Sequence, residues 1–295
     1  MTHTSQDNAP RTPGNADARR PSAWYRSIPS SGERLPIVGL GTYRVFDIPE
    51  GQPRDQQREV LRRFHAAGGR VVDTSPMYGE AERVLGELAA ELGITDDLFF
   101  ATKVWARGER EARDQIERSR ELLGTAVLDL EQVHNLVDLR HQLDILAEYK
   151  AEGHTHHVGV THYLSSRHPD LAELVARAPI DFVGVNYSLL EPAAEDRLLP
   201  AAIDHGVAVL VNQPFETGSL FGWVRAETLP DWAREWGIDS WAQYLLKFIL
   251  GHPAVTCVLP ATRNPAHLAD NMLAAAGPFP DAPARERMQA HFRAL

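Results

Sequence analysis

The sequence predicts a single α/β domain folded as a (β/α)8 TIM barrel over residues 23–295, and three observations carry that prediction. From Leu35 onward one unit recurs: a short β-rich apolar run, a polar link, an amphipathic stretch, then Gly. This is the pattern of alternating strands and helices. Strands are expected to begin near Pro36, Val71, Leu98, Leu128, His156, Phe182, Ala208 and Val255. These starts lie 35, 27, 30, 28, 26, 26 and 47 residues apart, room enough for a helical crossover between parallel strands. Eight such units of even length can close into a barrel, whereas a doubly wound sheet rarely needs so many.

Met1 to Ser22 carries Pro, Asn, Thr, Arg and Asp with almost no apolar content, and is expected to be a disordered tail. Arg19-Arg20 invites an export-signal reading, but Pro21, Arg26, Ser30, Ser31, Gly32 and Glu33 interrupt the apolar stretch such a signal needs. No apolar run reaches the length of a membrane span, so the expectation is a cytoplasmic protein with no membrane partner. Helical spacing follows in Val60, Leu61 and Phe64, then Val84, Leu85, Leu88 and Leu92, then Leu143, Ile145, Leu146 and Tyr149. Gly68, Gly93, Gly124, Gly153 and Gly206 stand where helices stop in a left-handed residue. The seventh unit is inflated by Asn212–Asp239, which reads either as a lid over the C-terminal face of the barrel or as a plain insertion. A short helical extension is expected from about Asp281.

Composition removes several function classes. Forty acidic against 30 basic residues leave a net charge of −10, and without a Lys/Arg-rich block this argues against a nucleic-acid partner. The one cysteine, Cys257, excludes an intramolecular disulfide framework and multi-Cys metal sites, and reads as a small core residue of the last strand. His154, His156 and His157 fall on opposite faces of a strand with no Cys or carboxylate nearby in sequence, so no metal site is expected. Gly39-Leu40-Gly41 lacks the third Gly and the immediate helix of a dinucleotide fingerprint.

In a closed barrel the reactive face lies at the C-terminal strand ends. Asp73, Lys103 and His134 occupy such ends on three successive strands, and Tyr78 lies in the loop after Asp73. Singly, each has a bland reading as a helix cap, a solvated cation or loop packing. Together they suit proton donation to a carbonyl oxygen. A phenol of pKa about 10 is a poor acid at neutral pH, and a nearby ammonium is expected to lower it. Lys103 supplies the ammonium, Asp73 keeps it charged in a dry site, and His134 orients the carbonyl. The set holds no nucleophile or metal of its own, so a bound hydride donor is implied.

These residues resemble those of the aldo-keto reductase superfamily. Ile37-Val38-Gly39-Leu40-Gly41-Thr42, Asp73 followed by Tyr78, Ala101-Thr102-Lys103 and Val133-His134-Asn135 look like its pattern, in its order, across Ile28 to Leu295. The resemblance implies Tyr78 as general acid, Lys103 and Asp73 as its tuners, His134 as carbonyl orienter, and a nicotinamide cofactor. It implies a cofactor cradle of Gly41, Thr42, Thr161, His162, Asn212, Gln213, Phe215, Thr262, Arg263, His267, Asp270 and Asn271. Some positions depart from the pattern. His162 replaces a usual Asn, Gly184 stands where similar proteins carry an amide-binding Gln, and Asn212 and Gln213 stand near the usual stacking aromatic, for which Phe215 is the substitute at hand.

Similar proteins bind the adenosine phosphate near Thr262 and Arg263, where many carry a Lys at the position of Ala261 and an Arg at that of His267. Arg263 and the start of the last barrel helix suit a 2′-phosphate, so NADPH is expected ahead of NADH, with NADH possible. Tyr43 and Trp105 are expected to line a substrate pocket for a small-molecule aldehyde or ketone; Trp105 equally reads as barrel-rim packing. Two rival functions stand beside reduction: a Schiff-base aldolase using Lys103, against which the neighbouring Asp73 argues, and an NADPH-binding sensor or scaffold with little turnover, motivated by His162 and Gly184.

Overall fold

The computed structural model describes residues 24–295, so the expected tail, Met1–Ser22, and Arg19-Arg20 lie outside the described residues. A short antiparallel hairpin comes first, β1 (Tyr25–Ser27) and β2 (Arg34–Pro36). Eight parallel strands follow among the described residues: β3 (Leu40–Gly41), β4 (Val71–Asp73), β5 (Phe99–Val104), β6 (Leu128–His134), β7 (Thr155–His162), β8 (Phe182–Asn186), β9 (Ala208–Asn212) and β10 (Val255–Val258). Each strand pairs with its successor in sequence, and bridges Val38 to Val258 and Gly41 to Ala261 join the two ends into a barrel.

The strand expected near Pro36 enters the barrel there: Pro36 ends the hairpin, the Ile37 carbonyl accepts from Val258 N at 2.9 Å, Val38 bridges Val258, and the pairing with β4 follows at Leu40–Gly41. The crossing is tight: a Cβ on Gly39 would lie 2.8 Å from both Leu259 Cδ2 and the Val71 carbonyl oxygen. A proline cannot donate to a central ladder, which is why the chain pairs through the residues beyond it.

Outside the strands lie α1 (Asp55–Ala66), α2 (Ala81–Leu92), α3 (Glu109–Leu123), α4 (Leu139–Ala151), α5 (His168–Arg177), α6 (Leu198–His205), α7 (Leu220–Trp223), α8 (Trp241–Leu250), α9 (Pro265–Leu273) and α10 (Ala282–Arg293). Their buried stripes, such as Val60, Leu61 and Phe64 on α1, follow the spacing read from the sequence. The five helix-ending glycines all sit at positive φ, where any side chain would be strained. No described helix is long and apolar enough to cross a membrane.

Two apolar layers follow from the closure. Helices pack on the outer faces of the strands, while Val71, Phe99, Phe182, Leu210 and Cys257 fill the interior, closed from below by Ile28 and Leu35 of the hairpin. Cys257 is fully buried there, as a core residue. His157 joins this packing near Phe99 and Phe182, whereas His156 lies 3.4 Å from Asp129. Glu131 of β6 is buried with neither carboxylate oxygen hydrogen-bonded, and burial, reinforced by Glu82, holds its carboxyl well above the usual range, so it is carried neutral.

The C-terminal extension is α10, capped by the Asp281 side chain, which accepts from Ala284 N at 3.0 Å. Arg285 on α10 donates to the Phe248 carbonyl at 3.0 Å and pairs with Glu195 and the Tyr187 hydroxyl, tying the extension to the barrel.

Candidate active site

The C-terminal strand ends open into a cavity of about 640 Å³, within the range of small-molecule sites. Asp73, Lys103 and His134 project into it from β4, β5 and β6, with Tyr78 on the following loop. The loop runs directly from β4 because Thr74 N donates to the Ala101 carbonyl at 2.9 Å and Tyr78 N to that of Ser75 at 2.9 Å. The four groups read from the sequence therefore meet at one place.

Lys103 Nζ lies 2.8 Å from Asp73 Oδ2 and 2.5 Å from the Thr74 carbonyl oxygen, with both side chains buried. The ammonium stands 5.1 Å from the Tyr78 ring centre. The Tyr78 ring meets Tyr43 at 5.0 Å and His134 edge-on at 6.0 Å. Nδ1 of His134 is 3.1 Å from Ser75 Oγ.

Charge follows burial. Burial pulls the Lys103 ammonium down, but Asp73 and Tyr78 outweigh it, so Lys103 stands above the ordinary lysine value. Tyr78 corrects an expectation. Burial raises its pKa by more than Lys103 lowers it, because Asp73 offsets part of the lysine's charge, so the phenol stays above its ordinary value and protonated. Burial first, then Lys103, pushes His134 down to about 3. It is a neutral imidazole at any ordinary assay pH.

A stability consequence follows from His134. The unfolded chain takes a proton at this residue below about 6.5, while the folded chain does not until about 3. Its neutral burial is fully tolerated above the unfolded pKa and destabilises progressively as pH falls toward the folded one. Urea denaturation at pH 7 and pH 5 should show His134→Gln losing less stability on acidification than the wild type. An equal loss in both proteins would count against this assignment.

Of the expected cofactor and pocket residues, Gly41, Thr42, Tyr43, Thr161, Asn212, Gln213 and Phe215 line the cavity. His162, Thr262, Arg263, His267, Asp270, Asn271 and Trp105 lie outside that lining. Trp105 is exposed, and its backbone amide donates to Gln115 Oε1 of α3 at 2.5 Å. Arg263 is exposed just before α9, whose N-cap Asn264 accepts from Ala266 N at 2.9 Å. The Asp270 carboxylate accepts from Ser240 Oγ at 2.7 Å and Gln243 Nε2 at 2.6 Å, which joins α9 to α8. His162 is buried, and its Nδ1 accepts from Leu164 N at 3.1 Å.

The long seventh connection is part of the site and not a plain insertion. Pro214, Phe215, Thr217, Gly218 and Phe221 form one wall of the cavity, while Leu220, Val224, Ala233 and Ile238 anchor the segment in the core. Gln213, Glu216 and Thr217 turn it through left-handed backbone at φ 50°, 48° and 54°. Sequence reading also missed Arg44, Met77, Gln132 and Tyr163 in the lining. Alternation along β6 does place Gln132 on the same face as His134, a signal that was present and unused.

Fold and site together define a closed parallel barrel with Asp73, Tyr78, Lys103 and His134 converging at its C-terminal mouth. Residues 37–287 match the Aldo/keto reductase family, and the chain belongs to it. It is 28% identical over 214 residues to aldo-keto reductase YhdN of Bacillus subtilis, covering 67% of this chain and 64% of that relative's length. It is 26% identical over 247 residues to an NADH-specific methylglyoxal reductase of Escherichia coli, covering 73% of this chain and 74% of the relative. In fold it is similar to an aldo-keto reductase of Klebsiella pneumoniae in complex with NADPH, with TM-score 0.74, 24% identity and 88% and 92% of the two chains covered.

Proposed function

We propose that the protein reduces a small aldehyde or ketone to the alcohol, taking hydride from NADPH and the proton from Tyr78. The observation that carries this reading is the convergence of Tyr78, neutral His134 and the Lys103–Asp73 ion pair at one cavity. The residues present fit a nicotinamide dinucleotide: Asn212 Oδ1 is buried at the cavity without a hydrogen-bond partner, and Arg263 stands exposed before α9. When bound, that cofactor supplies hydride to the carbonyl carbon. This chain's own residues supply the rest. Ser75 Oγ stands 3.1 Å from His134 Nδ1; in the tautomer in which the Ser75 hydroxyl donates to Nδ1, Nε2 carries the imidazole proton that orients the carbonyl oxygen. Tyr78 O–H gives its proton to that oxygen as negative charge develops, and the Lys103 ammonium steadies the phenolate left behind.

Methylglyoxal reductases among the relatives support a small carbonyl substrate. Arg263 and the α9 N-terminus favour NADPH, while one relative is named NADH-specific, so both donors belong in the test. Oxidation of NADPH and of NADH should be followed across a panel of aldehydes, ketones and quinones. NADPH oxidation by several aldehydes is expected, and no turnover of a bound dinucleotide would favour the sensor reading. Arg263→Ala should weaken NADPH binding by about tenfold through loss of a charged hydrogen bond, leaving NADH unchanged. Equal weakening of both would remove Arg263 from phosphate recognition. The aldolase reading is the poorer one, since Asp73 holds the Lys103 amine protonated at 2.8 Å.

A further inference from the structure

Gln132 occupies a slot cut across two strands, and its amide oxygen has no partner. The side chain lines the cavity yet is only 1% exposed. On one side it passes two successive strands, β7 and then β8, at a glycine in each. A Cβ at Gly159 of β7 would lie 3.1 Å from Gln132 Cγ, and one at Gly184 of β8 would lie 3.0 Å from Gln132 Oε1 and 2.4 Å from Thr161 Oγ1. Alternate strands of a barrel fill the same interior layer, so a side chain at 184 would meet Thr161 first and Gln132 Oε1 next. Glycine at 184 leaves that volume to the two of them.

The orientation of the amide is set from the other side. Gln132 Nε2 faces Asp73 Oδ1 at 3.5 Å, which turns Oε1 toward Thr161 and Gly184, where it is buried without a hydrogen-bond partner. A buried acceptor left unpaired is destabilising, and a donor from the cavity would relieve it. An aldehyde or ketone carries no obligatory N–H for this oxygen, whereas the carboxamide of a nicotinamide ring carries two.

We infer that Gln132 accepts a hydrogen bond from the nicotinamide carboxamide, supplying from β6 the amide contact that Gly184 cannot supply from β8. The assignment rests on the dinucleotide reading above. Its consequence is orientational: an acceptor fixed beside Thr161 holds the carboxamide edge, and with it the ring face presented to the carbonyl.

Dissociation constants measured by quenching of intrinsic tryptophan fluorescence test the assignment on wild type, Gln132→Met and Gly184→Ala. The probes are NADP⁺, its 3-acetylpyridine analogue, in which methyl replaces the carboxamide NH₂, and 2′,5′-ADP. Wild type should bind the analogue about tenfold more weakly than NADP⁺, and Gln132→Met should close that gap by losing about tenfold for NADP⁺ alone. Binding of 2′,5′-ADP should be the same in all three proteins. Gly184→Ala, which crowds both Thr161 Oγ1 and Gln132 Oε1 without removing either, should also weaken NADP⁺ and spare 2′,5′-ADP. A gap that persists in Gln132→Met, or a parallel loss for 2′,5′-ADP, would overturn the Gln132 assignment while leaving the dinucleotide reading intact. Wild type that binds neither NADP⁺ nor NADPH would overturn both.

Discussion

Tyr78→Phe should lower kcat for aldehyde reduction by about 10²–10⁴-fold, the usual contribution of a positioned general acid, while the dissociation constant for NADPH stays at the wild-type value. The substitution removes one oxygen from a ring held between Tyr43 and His134, so the packing at 5.0 Å and 6.0 Å survives. His134 cannot take over as a proton source, because burial keeps it neutral down to about 3. Lys103 cannot easily do so either, since Asp73 and Tyr78 raise its pKa and its proton is engaged with Asp73. Steady-state rates for the variant, paired with NADPH titration, separate the outcomes. Wild-type turnover would show that the proton comes from elsewhere; loss of NADPH binding would show that Tyr78 shapes the cofactor site instead.

Lys103→Met should reduce both stability and rate. The substitution strands Asp73, which is 7% exposed, without its ammonium, and removing one partner of a buried pair costs about 3–5 kcal/mol. Restoring neutrality with Asp73→Asn in the same chain should recover much of the stability but none of the rate. The lost activity then belongs to the charge beside Tyr78, not to the fold. Urea unfolding of the two variants and of wild type, read beside kcat, makes the comparison. Recovery of rate in the double variant would mean that Lys103 serves packing alone. The pH sign is fixed by the raised lysine pKa: the contribution is complete below the unfolded value of about 10.4 and is lost as pH rises through the higher folded one.

Much of this architecture was legible in the sequence because barrel units repeat local physics. Apolar period and glycine stops mark each helix, and each interval between runs has room for one crossover. The first strand was legible near Pro36, where pairing with β10 begins at Ile37 and Val38, but the hairpin that runs into it was not, because three-residue strands are too short to show a periodicity. The seventh connection was ambiguous for a related reason. Gly218 and Gly237 mark turns in it, but its first bends use left-handed Gln213, Glu216 and Thr217, none of them glycine, so composition did not show where the segment folds over the cavity.

The site divides along the same line. Sequence by itself determined which groups are present and that Asp73, Lys103 and His134 end consecutive strands, since strand order in a closed parallel barrel follows chain order. Tertiary structure alone decided their protonation, because a pKa depends on how much water each group loses and on which charges remain close. The phenol expected to be lowered by Lys103 is instead raised by burial, and the imidazole is held neutral. Only the folded chain shows that the absence of a side chain at Gly184 is met by Gln132 from two strands away, since that substitution is one of shared volume, and volume is defined only once the barrel has closed.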